Sequence, residues 1–332
     1  MAIIVEDIEE EDSVQESIEV LLGEYKISLD AANRSRKTIS WYFDILNRYF
    51  KFLHGNELLV PIQELGTKEL TVYLKYLKTA SRWSEKGMKD KGPLSPFSIQ
   101  GKVAAIKAFW SWLLREDHIV TNPLVSFPLP KVPKLMIKIL NEEQINKLWK
   151  AIDKSKKLGF RIYIITLLLL DTGVRISGLV NIRLSDINFT ERIVKVMGKG
   201  RKEREIPFST TTKKELIKYI DRFRPILCHV DSDYLFPKKD GELISVNCVQ
   251  QAIRRLAIAA GFGETRCHPH IFRHTCATML LANGCSLAML QAIMGHESFQ
   301  TTQKYVHLQM KDLKIQHMRY SPVAKLLGEK EN

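Results

Sequence analysis

No stretch of this sequence stays apolar for the length of a bilayer crossing, so a membrane-spanning helix is not expected. The longest apolar run, Ile162–Leu170, is about half that length and reads as a buried helix. Cysteine is scarce: Cys228, Cys248, Cys267, Cys276 and Cys285 make an odd count of five with no C-x-x-C pair. A disulfide framework is therefore not expected, and reduced thiols in the cytoplasm are. Lysine and arginine are missing from residues 1–24, which hold nine acids. A secretory leader carries basic residues there, so a secreted protein is not expected either. The chain also lacks internal repeats, low-complexity tracts and the paired acidic motif of a two-metal site.

What is abundant is positive charge. The net charge is +13. Residues 25–130 hold 16 basic and 9 acidic residues, and residues 131–332 hold 34 and 19. Two basic blocks after an acidic leader point to a polyanionic partner, most often nucleic acid, with an inert basic surface as the alternative. The 332 residues suffice for two domains, each with its own core.

Helical spacing runs through residues 13–29 (Val14, Ile18, Leu21, Leu22, Tyr25) and again from Ile39 to Leu53, with Gly55 at the expected C-cap. A third helix follows, with Thr67 as N-cap and Glu69 in its first turn. Residues 81–96 are polar and rich in Gly and Pro, hence a long loop, and Ser95 caps a fourth helix. The four prolines of residues 121–134 predict an extended linker. The expected organisation is an acidic leader (1–12), a helical domain (13–121), a linker (122–134), a second domain (135–320) and a tail (321–332). In the second domain, Asn141 caps a new helix, "RIVKVMGKGRKEREIPF" reads as a β-hairpin, and residues 211–318 are mostly helical. The fold class is mainly α with a small antiparallel sheet, in two domains.

The stretch "CHPHIFRHTCATML" carries the first chemistry. Pro269 starts a helix, which puts His270, Arg273 and His274 on one face. Two histidines on one face suggest zinc. A hydrolase of that type needs Glu where Ile271 stands, however, and a third ligand that no acidic cluster supplies. An always-charged, forked arginine beside an imidazole suits a phosphodiester better. Arg175 in "DTGVRIS", Lys199 in the hairpin turn, His296 in "MGHES" and Tyr305 in "TTQKYVH" are further candidates. Singly, each reads as a capping, solvated or packing residue.

In combination, Arg175, Lys199, His270 with Arg273, His296 and Tyr305 resemble the tyrosine recombinase (integrase) family, nearest its Xer-like branch. The words "TGVRIS", "GKGRKEREIP", "IFRHTCAT" and "IMGHES" match as well, and the resemblance covers about residues 138–310. Two positions depart from the family: Gly178, usually acidic, and Met279, frequently His. The resemblance implies a SAM-like core-binding domain followed by a catalytic domain, the two closing round a DNA duplex. Within it, Arg175, Arg273, His270 and His296 clamp the phosphate, Tyr305 is the nucleophile, His270 the general base and Lys199 the general acid. No metal, ATP or other cofactor is expected. The implied partners are a double-stranded recombination site, a tetramer of this chain joined through residues 321–332, and accessory DNA-binding proteins. The alternatives are a type IB topoisomerase-like activity or a non-catalytic DNA-binding protein on the same fold.

Overall fold

The computed structural model describes residues 2–79, 93–133, 138–198, 203–262 and 267–295, with side chains from Val14 onward. The chain divides into two compact units, residues 1–135 and 136–332.

Four helices build the first unit: α1 (Ala2–Ala31), α2 (Arg36–His54), α3 (Thr67–Thr79) and α4 (Pro96–Arg115). α1 starts well before the apolar spacing at residue 13, and no Gly or Pro interrupts the chain before Gly23. Ser35 and Ser95 cap α2 and α4, their hydroxyls accepting from Thr38 N at 3.1 Å and Ser98 N at 3.2 Å. At α3 the cap lies one residue earlier than the sequence predicts. Thr67 is already helical, and the Glu69 carboxylate accepts from Gly66 N at 2.9 Å. The core is aromatic: Tyr49 meets Tyr73 and Trp110 edge-on, at 5.0 and 5.9 Å between ring centroids.

The proline-rich stretch is irregular, as its prolines require, but it is no free spacer. Leu124 is fully buried in this unit's core. Lys107 Nζ on α4 donates to the carbonyls of Val125 and Phe127, and Gln100 Nε2 donates to Pro130 O at 2.9 Å. The loop expected at residues 81–96 lies mostly outside the described residues.

The second unit holds α5 (Glu142–Lys150), α6 (Lys157–Thr172), α7 (Ile176–Val180), β1 (Ile187–Asn188), β2 (Ile193–Met197), β3 (Glu203–Pro207), α8 (Thr210–Lys218), α9 (Arg224–Leu227), α10 (Val246–Ala259), α11 (Pro269–Ala282) and α12 (Leu287–Met294). Asn141 closes a capping box with Gln144 at the start of α5. α6 is the apolar run from the sequence, buried continuously from Tyr163 to Leu169 because α8, α10 and α11 pack around it. Leu140 N donates to Thr275 Oγ1 at 2.9 Å, tying the entry to α5 onto α11. The expected hairpin is β2–β3, antiparallel, with Val194 opposite Ile206 and Val196 opposite Arg204. β1 adds a third antiparallel strand too short for period-2 alternation to reveal. Among the described residues, no helix is long and apolar enough to cross a membrane.

Candidate active site

The segment "DTGVRIS" turns the chain out of α6. Thr172 Oγ1 donates to Leu168 O at 2.6 Å and accepts from Val174 N at 3.2 Å, which closes the helix end. Gly173 then adopts φ +59, the left-handed region open to glycine. Space favours glycine as well, since a Cβ here would lie 2.7 Å from Met294 Sδ and 3.2 Å from Cys276 Sγ. Val174 is buried, and Arg175 follows in extended conformation at the start of α7, its side chain half-buried.

α11 begins at Pro269, as the sequence predicts. Buried Ile271 and Phe272 anchor it and turn Arg273 inward, where that residue is 5% exposed. Arg273 Nη1 donates to the Gly173 carbonyl, and Nη2 donates to Met294 O at 2.6 Å. Arg175 Nη2 donates to the next carbonyl, Gly295 O, at 3.3 Å. The two predicted arginines thus meet at the C-terminal end of α12, where unpaired carbonyls and the helix dipole favour cations. Gly295 is itself left-handed, with φ +57.

His270 lies one turn before Arg273, at the surface but partly desolvated. Burial first, then His268, Arg273 and Arg175, hold its pKa below the ordinary 6.5. The neutral imidazole is therefore favoured. His268 is lowered too, by burial, and its ring centroid is 6.3 Å from that of His270. Among the described residues, no group of three or more His, Cys, Asp or Glu side chains is arranged to hold a metal ion. All five cysteines are free, and burial pushes the Cys276 thiol up to about 12. Gly178 is buried in α7, and a Cβ there would lie 3.2 Å from Val174 Cγ2 and 3.6 Å from Met197 O.

Of the six predicted residues, Arg175, His270 and Arg273 are described and come together. Lys199, His296 and Tyr305 lie outside the described residues, as does the tail 321–332. One residue that the sequence reading missed stands beside them. Arg204, on β3, packs on Gly295 so closely that a Cβ on that glycine would sit 1.8 Å from its Nη1. The signal was period-2 alternation. Arg204 shares the inner face of β3 with buried Ile206, a place where a cation is out of pattern.

The phage integrase family model matches residues 138–312. The tyrosine recombinase XerC of Staphylococcus haemolyticus (strain JCSC1435) is 30% identical over 293 residues, covering 88% of this chain and 93% of its own. The fold is similar to that of the Tn1549 transposon integrase in complex with transposon right end DNA. That match has a TM-score of 0.69 and 20% identity, and covers 91% of this chain and 99% of the other. It is also similar to the XerH site-specific recombinase bound to palindromic difH substrate in a post-cleavage complex. Here the TM-score is 0.64 and the identity 18%, with 82% and 76% of the two chains covered.

Proposed function

This chain belongs to the phage integrase family, as a tyrosine recombinase of the Xer-like branch, and we propose that it cuts and rejoins double-stranded DNA at specific sites through a 3′-phosphotyrosyl bond to Tyr305. The observation that carries this reading is the meeting of Arg175 and Arg273 at the end of α12, with His270 close enough to feel both guanidiniums. That is a cationic, hydrogen-bond-donating corner with a neutral base at its edge. The XerH and Tn1549 proteins, which share the fold, are seen on DNA substrates.

A phosphodiester repels an incoming oxygen nucleophile, and its transition state gathers more negative charge on the non-bridging oxygens. Fixed guanidinium and imidazole donors meet that charge without reorganising. Arg175, Arg273, His270 and His296 fill this role. The Tyr305 hydroxyl, with an ordinary pKa near 10, needs its proton removed as it attacks phosphorus. His270 takes that proton, since its depressed pKa leaves the ring neutral at neutral pH. The bond from phosphorus to the 5′-oxygen breaks, and Lys199 protonates the leaving oxygen. One P–O bond replaces another, so the link keeps its energy and no ATP is spent. A 5′-hydroxyl from a second duplex then attacks the phosphotyrosyl bond and frees Tyr305.

The wider assembly is part of the same proposal. Residues 13–121 form the core-binding domain, 122–134 the linker and 135–320 the catalytic domain. Residues 321–332 dock on a neighbouring copy, so that four protomers cut two duplexes in a closed, head-to-tail ring. Accessory DNA-binding proteins join it, and the work is done in the cytoplasm. Integration, excision and dimer resolution all use this chemistry.

The test is covalent trapping on nicked genomic fragments in excess EDTA, followed by sequencing of the attached DNA. We expect a denaturant-resistant adduct at one site, lost in Tyr305→Phe and kept in Tyr320→Phe. No adduct from the unaltered protein, or an adduct that needs added metal, overturns the reading.

A further inference from the structure

The strand arginine next to the site has buried donors that no described residue satisfies. Arg204 Nε and Nη1 are buried and have no hydrogen-bond partner among the described residues. The side chain enters no ion pair among the described residues, and the charge acting on it is another cation, Arg175. Burial, and then Arg175, pull its pKa down to about 10, still far above neutrality, so the group stays charged. A guanidinium held half-buried, unpaired and beside a like charge is unfavourable unless an anion completes it. Its position is fixed by two independent contacts. Register places it opposite Val196 on the inner face of the hairpin, and its guanidinium lies against the Cα of Gly295. Gly295 is the residue whose carbonyl Arg175 holds.

We infer that Arg204 is a further catalytic residue, a third guanidinium that donates through Nε and Nη1 to a non-bridging oxygen of the scissile phosphodiester. The inference rests on the recombinase reading above. Arg273 also donates to two backbone carbonyls, Gly173 and Met294, so it orders the site as well as facing the phosphate. Arg204 adds donors that are unpaired among the described residues. A side chain at position 295, where φ +57 already favours glycine, would also have to displace the guanidinium.

The experiment compares the full-length protein with Arg204→Ala and Arg204→Gln on nicked duplexes carrying the site recovered by trapping. The scissile linkage is either an ordinary phosphate or a neutral methylphosphonate. On the ordinary phosphate we expect both variants to cleave about a hundredfold more slowly, the scale of losing one preorganised transition-state donor. On the methylphosphonate, which lacks the charged oxygen, the deficit should shrink to a few-fold. The melting temperature should hold or rise, because an unpaired buried cation has been removed. Cleavage by either variant near the unaltered rate overturns the inference, as does an equal deficit on both linkages or a clear fall in melting temperature. If the unaltered protein makes no adduct, the recombinase reading itself fails, which is a separate outcome.

Discussion

Arg273 and Arg175 hold consecutive carbonyls, the first donating to Met294 O at 2.6 Å and the second to Gly295 O at 3.3 Å. Residues far apart in sequence are thus joined at one helix end, the last described residues before His296. The two contacts differ in character. Arg273 is almost wholly buried and bridges α12 to the Gly173 turn, whereas Arg175 is half-buried and, among the described residues, makes one long bond.

That difference separates their mutants. Arg273→Ala leaves the Gly173 and Met294 carbonyls without their donor, and we expect a loss of about 3 kcal/mol or more in folding stability. Arg175→Ala should cost no more than about 1 kcal/mol. Both should lower cleavage by about a hundredfold or more. Urea denaturation alongside adduct formation checks the pair, and equal destabilisation by the two would contradict the bonding described.

Gly173 is the second test of this corner. An alanine there meets Met294 Sδ and must hold φ +59, so Gly173→Ala should destabilise by about 1–3 kcal/mol. Shortening the obstacle should relieve part of that. The double variant Gly173→Ala with Met294→Ala is expected to cost less than the sum of its singles, by roughly 1 kcal/mol, since the two side chains share one space. Strict additivity in a double-mutant cycle would mean that the clash is not real.

How much of this was legible beforehand follows from the range of each interaction. Caps are local, so Ser95 and Asn141 were readable from a few residues, and Thr67 was misplaced by one because Glu69 itself does the capping from inside the helix. The Arg192–Phe208 stretch read as a hairpin because its two strands are adjacent in sequence. β1 escaped, being two residues fixed only by its neighbour β2. Composition predicts an extended linker for the proline stretch, and its anchoring by Lys107 and Gln100 depends on tertiary contacts that composition does not carry. In the site, motif order picked out Arg175, His270 and Arg273. Arg204 is not singled out by the motif, and only its register with Val196 turns it inward.

The depressed pKa of His270 sets a pH dependence. An unfolded histidine takes up a proton near 6.5, before the folded one does. The stability that the neutral ring contributes is present above that pH and is lost as pH falls through the folded pKa. If His270 is the base, kcat/KM for cleavage should fall on the acid side with a midpoint below 6.5, because that ratio reports the free enzyme. Imidazole proton shifts of the free protein, followed through an NMR titration, should give His270 the same midpoint. His268→Asn should leave the acid limb in place. A limb at or above 6.5, or one that survives His270→Gln, would remove His270 from the base role.

The leaving oxygen offers the last test, aimed at the hairpin turn. β2 ends at Met197 and β3 starts at Glu203, so the lysines of the connecting sequence, Lys199 and Lys202, are tethered to strands whose inner face carries Arg204. Cleavage turns the 5′-oxygen into an alkoxide unless a proton arrives as the bond breaks, and a lysine ammonium is a suitable donor. A sulfur in that bridging position leaves as a thiolate, whose pKa is far lower, and needs no such help. Lys199→Ala should therefore slow cleavage of the ordinary linkage by about 100-fold or more, within the usual range for general acid catalysis, while a 5′-phosphorothiolate should be cut at nearly the unaltered rate. Lys202→Ala should respond weakly on both. Rescue by sulfur in Lys202→Ala instead would move the acid to that residue. Equal impairment of Lys199→Ala on both linkages would make Lys199 a contact to the DNA backbone, which weakens binding whatever atom departs.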